Sequence, residues 1–348
     1  MSIPLEHGDP RMSKFLSLTL LPLFCLSLSA CLNHTSDILA SDPKDYRQEM
    51  RTFVEEVSYY AKGINPGFII VPQNGHELLT KTGEAEASVS DSYVSAIDGI
   101  GREDLYYGYT EDNIATLEPD RKEMLLFMDL AETNGVQVLV TDYCSEREKI
   151  DDSYRKNAAR GYISFTAHHR ALDAIPDYPE NPYNENTSDI NTLSDAKNFL
   201  YVIDPSENKS AFTDKSAFLS QLRSTNYDIL LIDVFYDGSP TTKLSKRDVA
   251  SLKEKANGGR RLVLCYLSIG EAEDYRYYWK NEWNMKSPSW LTEENPKWVG
   301  NYKVRYWEHD WKAIIYGNDQ SYVKKILDAG FDGAYLDIID AFEYFEDQ

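Results

Sequence analysis

The sequence is short of positive charge. Its 348 residues carry 36 Lys and Arg against 57 Asp and Glu, a formal net charge of −21. Phosphate binding needs a basic face, so nucleic acid is excluded as a partner. A cationic ligand would instead be drawn in. Cysteine is scarce: Cys25, Cys31, Cys144 and Cys265 are all there are. The first two fall in a targeting segment, and the other two sit in predicted strands as small buried hydrophobes. Neither a zinc spacing nor a disulfide framework results. A glycine-rich phosphate loop is also missing. Gly99-Ile100-Gly101 has no third glycine and no helix context, which argues against a doubly wound dinucleotide fold. His168 and His169 have no carboxylate at metal or triad spacing and read as loop residues. No metal and no cofactor are expected.

Aromatics, by contrast, are plentiful, with 25 Tyr and 6 Trp. Core packing accounts for such rings, and so does sugar stacking, because pyranose C–H faces lie well on flat rings.

Lys14 precedes an apolar run from Phe15 to Leu28 that ends in Leu28-Ser29-Ala30-Cys31. The run is too short for a good membrane span and reads as a secretory signal over 1–31. Leu-Ser-Ala-Cys resembles a bacterial lipobox. That resemblance implies cleavage before Cys31, lipid attachment to its thiol, and a place in the bacterial cell envelope facing the periplasm or exterior. Residues 32–42 are polar and read as a tether.

From 43 to 348, strand-like and helix-like stretches alternate. Apolar runs at 68–71, 93–100, 136–140, 162–165, 199–203, 229–232, 262–267 and 335–338 predict eight strands. Helices are predicted over 46–62, 119–134, 146–159, 215–223, 246–256 and 319–329. Residues 176–196, with Pro176, Pro179 and Pro182 among polar residues, form a linker. The excursion 275–311 holds all six Trp. Eight such units predict an α/β fold, a single (β/α)8 TIM barrel. Several strands empty into acids, as a barrel does at the rim that carries its active site. The last of them runs Gly333-Ala334-Tyr335-Leu336-Asp337-Ile338-Ile339-Asp340, where a bulge or turn is needed to aim both aspartates upward. This strand has no helix after it to complete its unit, which points to a partner helix elsewhere in the chain.

Four stretches carry a family resemblance: Tyr266-Leu267-Ser268-Ile269-Gly270-Glu271-Ala272-Glu273-Asp274-Tyr275-Arg276, Gly300-Asn301-Tyr302 with Tyr306-Trp307, Tyr335 to Asp340, and Ile70-Val71-Pro72-Gln73-Asn74-Gly75. Together they resemble the glycoside hydrolases of family one hundred and fourteen, related to endo-α-1,4-polygalactosaminidases. The order of the units is reversed relative to that family. The chain therefore resembles a circular permutant, with 43–175 as the family's C-terminal half, 176–196 as the junction and 197–348 as the N-terminal half. Helix 46–62 would then be the missing partner of the last strand. A rearranged gene or two half-barrels from a tandem array is the rival reading.

The resemblance implies an endo-acting glycosidase that works on an α-linked amino-sugar polysaccharide, like galactosaminogalactan, with two carboxyls. Asp337 matches the family's motif aspartate and is expected as nucleophile or base. Glu103 matches the acid of the polygalactosaminidases more loosely, and Glu271 is the competing acid. Asp233, Asp340, Asp142 and Asp274 would line an acidic cleft for ammonium groups. Gln73 and Asn74 would bond sugar hydroxyls, and Tyr236, Tyr266, Trp279 and Tyr306 would be stacking platforms, although Tyr266 also fits core packing. The expected partners are a polysaccharide and, through Cys31, a membrane; a monomer is expected. The alternative is a non-catalytic carbohydrate-binding lipoprotein on the same barrel, which would need aromatics but no carboxyl pair.

Overall fold

Ile229-Leu230-Leu231-Ile232 is typical of the strands at the centre of this protein: apolar on both faces and buried throughout. Such runs belong in parallel sheets covered on both sides. The computed structural model describes residues 44–348. The leader, Cys31 and the tether lie outside the described residues.

The parallel strands are β1 (Ile69–Pro72), β2 (Gly99–Glu103), β3 (Gln137–Tyr143), β4 (Ile163–Ala167), β5 (Phe199–Val202), β6 (Ile229–Ile232) and β7 (Leu262–Ser268). Three short antiparallel strands follow, β8 (Glu271–Glu273), β9 (Leu291–Glu294) and β10 (Asn301–Val304), and then the last parallel strand, β11 (Gly333–Asp337). The helices are α1 (Tyr46–Ile64), α2 (Asp91–Ala96), α3 (Glu118–Thr133), α4 (Arg147–Arg160), α5 (Lys215–Arg223), α6 (Lys246–Leu252), α7 (His309–Ile315), α8 (Tyr322–Ala329) and α9 (Ala341–Glu346).

The parallel strands form a five-stranded sheet, β1-β11-β7-β6-β5, and a three-stranded sheet, β2-β3-β4. β11 pairs in parallel with β1, Ile69 opposite Gly333. The two sheets meet at two seams, each carrying one isolated parallel bridge: Gln73 with Gly101, and Ser164 with Asn198. One hydrophobic core runs through both, from Phe53 and Ile70 to Leu230 and Leu336. The fold is thus mixed α/β with parallel sheets.

α1 starts at the N-cap Asp45, whose side chain accepts from the Gln48 N–H. Met50, Phe53, Val54, Val57 and Ala61 fall on one helical face and are all buried. Each large side chain on that face contributes roughly 1.5–3 kcal/mol, so Phe53→Asp would detach the helix. The end of α1 lies against the end of the chain. Arg47 Nε donates to Glu346 Oε1 at 3.0 Å, and the Tyr46 and Phe345 rings are 5.5 Å apart.

The strand expected over 93–100 is divided differently. Residues 91–96 form α2, and the strand is Gly99–Glu103. Glycines make Gly-Ile-Gly-Arg-Glu a poor strand by composition. Their presence has a packing cause. A Cβ on Gly101 would lie 1.9 Å from the Tyr335 hydroxyl, so that ring fills the space. α6 stops at Leu252 rather than 256, and α8 begins at Tyr322 rather than 319. The tryptophan-rich excursion contains β9 and β10, which join β8 in an antiparallel sheet ordered β8-β10-β9. The linker is pinned to the fold. Asn186 Nδ2 donates to Asp228 Oδ2 at 2.9 Å, and Asp228 pairs with Lys255 at 2.9 Å with both side chains fully buried.

Candidate active site

Asp337 is the last residue of β11, and Glu103 the last of β2. The strands run parallel, so both carboxyls stand at the same, C-terminal end. They line one cleft of about 570 Å³, a size suited to a ligand of several rings.

Two donors hold each carboxyl. Gln73 Nε2 donates to Asp337 Oδ1 at 3.0 Å and the Tyr266 hydroxyl donates to Oδ2 at 2.7 Å. Asn74 Nδ2 donates to Glu103 Oε2 at 2.9 Å, and the Tyr143 hydroxyl donates to Oε1. Gln73 is itself oriented from behind, because Tyr201 donates to its Oε1 at 3.2 Å. That bond assigns the amide: with the oxygen on Tyr201, the NH2 must face Asp337. Asn74 takes a positive φ of 61°, a conformation asparagine tolerates.

Burial, and then the charge of Glu103, push the Asp337 carboxyl up to about 8, although the Tyr266 hydrogen bond works the other way. Asp337 therefore keeps a proton at neutral pH. Asp340 is pushed up to about 6 by burial and by Glu103, against Arg102 and Lys303. Between the two aspartates Ile338 has φ 58°. A β-branched residue there is strained by roughly 1–3 kcal/mol. The turn is what brings both Asp337 and Asp340 to the cleft.

Asp233, after β6, is buried and bound to Arg276. Arg276 also donates through Nε to Glu273 Oε2 at 2.6 Å. Burial works against this guanidinium, but Asp233 and Glu273 outweigh it and hold it well above its usual value. Removing one partner of such a cluster costs ~3–5 kcal/mol. Asp233 thus borders the cleft as part of an ion cluster. Beside it, burial and the charge of Glu273 push Asp204 up to about 7.

Glu271 also borders the cleft, but its carboxylate faces the antiparallel sheet. It pairs with Lys303 at 2.6 Å and accepts from Asn295 Nδ2 at 2.8 Å. Tyr236 and Tyr266 line the cleft as well. Four other residues expected there are elsewhere. Asp142 is fully buried; it accepts from the Tyr106 and Tyr107 N–H groups and, through Oδ2, from Ser153. Tyr306 is fully buried and donates to the Tyr46 carbonyl at 2.8 Å, so it is a core residue. Asp274 is exposed on the antiparallel sheet beside Gly300. Trp279 packs on Tyr302 at 4.9 Å.

Sequence reasoning did not pick out Tyr143, Tyr201, Asp204, Arg170 or Trp298. Arg170 lies over the Tyr143 ring at 4.2 Å and is held by Asp104. Tyr143 had a usable signal, as the last residue of a strand that reaches the rim. Among the described residues, no group of three or more His, Cys, Asp or Glu is arranged to hold a metal ion. Nor is any helix there long and apolar enough to cross a membrane.

Two carboxyls on one cleft at the C-terminal ends of parallel strands stand where α/β proteins of this kind place their ligand sites. The model of glycoside-hydrolase family GH114 matches residues 186–348. An uncharacterized protein of Methanocaldococcus jannaschii is 38% identical over 161 residues, covering 46% of this chain and 42% of that protein. An uncharacterized protein of Thermotoga maritima is 40% identical over 125 residues, 36% of each chain. One of Deinococcus radiodurans is 35% identical over 126 residues, covering 36% of this chain and 37% of that protein. The chain thus spans less than half the length of the curated relatives it matches.

Proposed function

We propose that the protein is an endo-acting glycoside hydrolase of an α-linked amino-sugar polysaccharide, built on a closed and circularly permuted (β/α)8 barrel. One observation carries this reading: Asp337 and Glu103 face one cleft, held by the consecutive residues Gln73 and Asn74. Two carboxyls facing one cleft favour the enzyme over the carbohydrate-binding alternative. The family match over 186–348 supports the activity. The parallel pairing of β1 with β11 and the bridges at both seams support the barrel and its order.

Glycoside hydrolysis needs one carboxylic acid to protonate the leaving oxygen and one carboxylate to attack the anomeric carbon or activate water. Burial and the charge of Glu103 favour the protonated form of Asp337. A sugar ammonium bound beside Asp337 favours its ionised form instead. Glu103 then protonates the glycosidic oxygen as the C–O bond breaks. Ionised Asp337 attacks the anomeric carbon or takes the proton from the attacking water. The acids of the cleft wall, Asp340 and Asp204, favour a cationic chain.

The test is incubation with a panel of purified exopolysaccharides, with mass spectrometry of the released oligosaccharides. Products from an amino-sugar polymer with the parent protein and none with Asp337→Asn are expected. Binding without any release would favour the carbohydrate-binding alternative. The envelope location rests on the Leu28-Ser29-Ala30-Cys31 run alone. Cys31→Ala should abolish labelling by a fatty-acid probe and loss of the protein from the membrane fraction should follow.

A further inference from the structure

Of the six tryptophans, Trp298 alone is more than a third exposed, at 53%. Trp283, Trp290 and Trp311 are buried, and Trp279 and Trp307 pack on other rings. Trp298 sits in the turn between β9 and β10, on the wall of the cleft that holds Asp337 and Glu103. Its neighbour Val299 is 89% exposed and lines the same wall.

The turn is rigid. Trp298 N–H donates to the Asn295 carbonyl at 3.1 Å, the Asn301 N–H to the Trp298 carbonyl at 3.1 Å, and the Asn295 N–H to the Asn301 carbonyl at 2.7 Å. The Gly300 N–H donates to Glu294 Oε1 at 2.8 Å. The base of the turn is tied to Glu271 twice, through Asn295 Nδ2 and through Lys303. The backbone that carries this exposed ring is therefore already ordered before a ligand arrives, and only the side-chain torsions of Trp298 remain to be fixed.

We infer that Trp298 is the stacking platform of a second sugar subsite, away from the cleaved bond, and that Glu271 with Asn295 and Lys303 is its brace. The inference rests on the glycosidase reading and adds a site to it. A pyranose is the fitting occupant. The wall sets Val299 among the polar Asn301, Arg276, Glu207 and Asp204, whereas a protein partner would need a contiguous apolar patch of several hundred Å². A flat indole among hydrogen-bonding groups suits a ring with an apolar C–H face and polar edges.

The experiment uses the Asp337→Asn protein, so that ligand is not consumed, and titrates it calorimetrically with α-1,4-linked galactosamine oligosaccharide. Adding Trp298→Ala should weaken binding about tenfold, and Trp298→Tyr should restore most of it, with the melting temperature unchanged in both. If Trp298→Ala binds as tightly as its parent, the platform is overturned while the hydrolase reading stands. If affinity falls as expected but the protein with Asp337 intact releases no product, the platform stands and the hydrolase reading falls. If Asp337→Asn binds no oligosaccharide at all, both fall.

Discussion

Gln73 donates its side-chain amide to Asp337 at 3.0 Å across 264 positions of chain. The next residue, Asn74, donates to Glu103 at 2.9 Å. Two consecutive amides thus set the two carboxyls, and they follow directly on β1, which lies between β11 and β2. Most of what can be tested follows from that arrangement.

Asp337→Asn and Glu103→Gln keep shape and remove one titrating group each. Each should lower the rate of oligosaccharide release by roughly 10²–10⁴-fold, the usual contribution of a positioned acid or base. Glu271→Gln should stay within about tenfold of wild type and instead lower the melting temperature, because it breaks the buried pair with Lys303. A folded Glu271→Gln protein with no turnover would return Glu271 to the role of acid.

Tyr201→Phe removes the donor that fixes Gln73. The amide is then free to turn its oxygen toward Asp337, and the hydrogen bond that favours the ionised form is lost. The pH limb that reports Asp337 should move to higher pH, and the melting temperature should barely change. An unmoved pH profile would mean that Gln73 is oriented by its packing alone.

Stability should fall as pH rises from about 4 to 8. Asp337 and Asp104 are pushed up, chiefly by burial, to about 8 and about 7. Each binds its proton more tightly folded than unfolded. Their contribution is complete below the unfolded carboxyl range and is lost as pH passes through the folded values. Thermal melts across this range check the slope. In Asp337→Asn the decline should be shallower, and at pH 8 the variant should melt at least about 2 °C above wild type.

The proposed permutation can be tested by design. A chain running 181–348, then a short Gly-Ser joint, then 45–180 keeps the pinned segment around Asn186 and should fold to the same circular dichroism and keep its activity. The joint is short because Arg47 already touches Glu346. An aggregated or inactive product would count against the permutation.

The buried strands were legible because they are apolar on both faces, as in Ile229 to Ile232. The position of β2 was not. Its central Gly101 is dictated by the Tyr335 ring from a strand 234 positions later, by subtraction of the two numbers, and no local pattern records that. The rim was misread at β3 for a different reason. Successive residues of a strand point to opposite faces, so only one of Asp142 and Tyr143 can reach Glu103. Tyr143 does, while Asp142 turns outward to Ser153 and Asn157 on α4. Sequence gives the alternation but not its phase. Tyr306 and Trp298 are both rim-like by composition, and only burial separates them.

Asp337 hangs from the five-stranded sheet and Glu103 from the three-stranded one, and a single backbone bridge, Gln73 with Gly101, joins the two at that point. The gap in which a bond would be cut is therefore a joint between two stiff panels. Its stitches include the Asn74 N–H to the Gly101 carbonyl and the Asp98 N–H to the Ile70 carbonyl, both at 2.8 Å, the Ile70 N–H to Asp98 Oδ2 at 2.8 Å, and the Glu103 N–H to Asn74 Oδ1 at 3.2 Å. Such a joint works like a caliper. Loosening a stitch changes the reach from one jaw to the other well before either panel comes apart, so damage here would be felt first as lost rate and only later as lost fold.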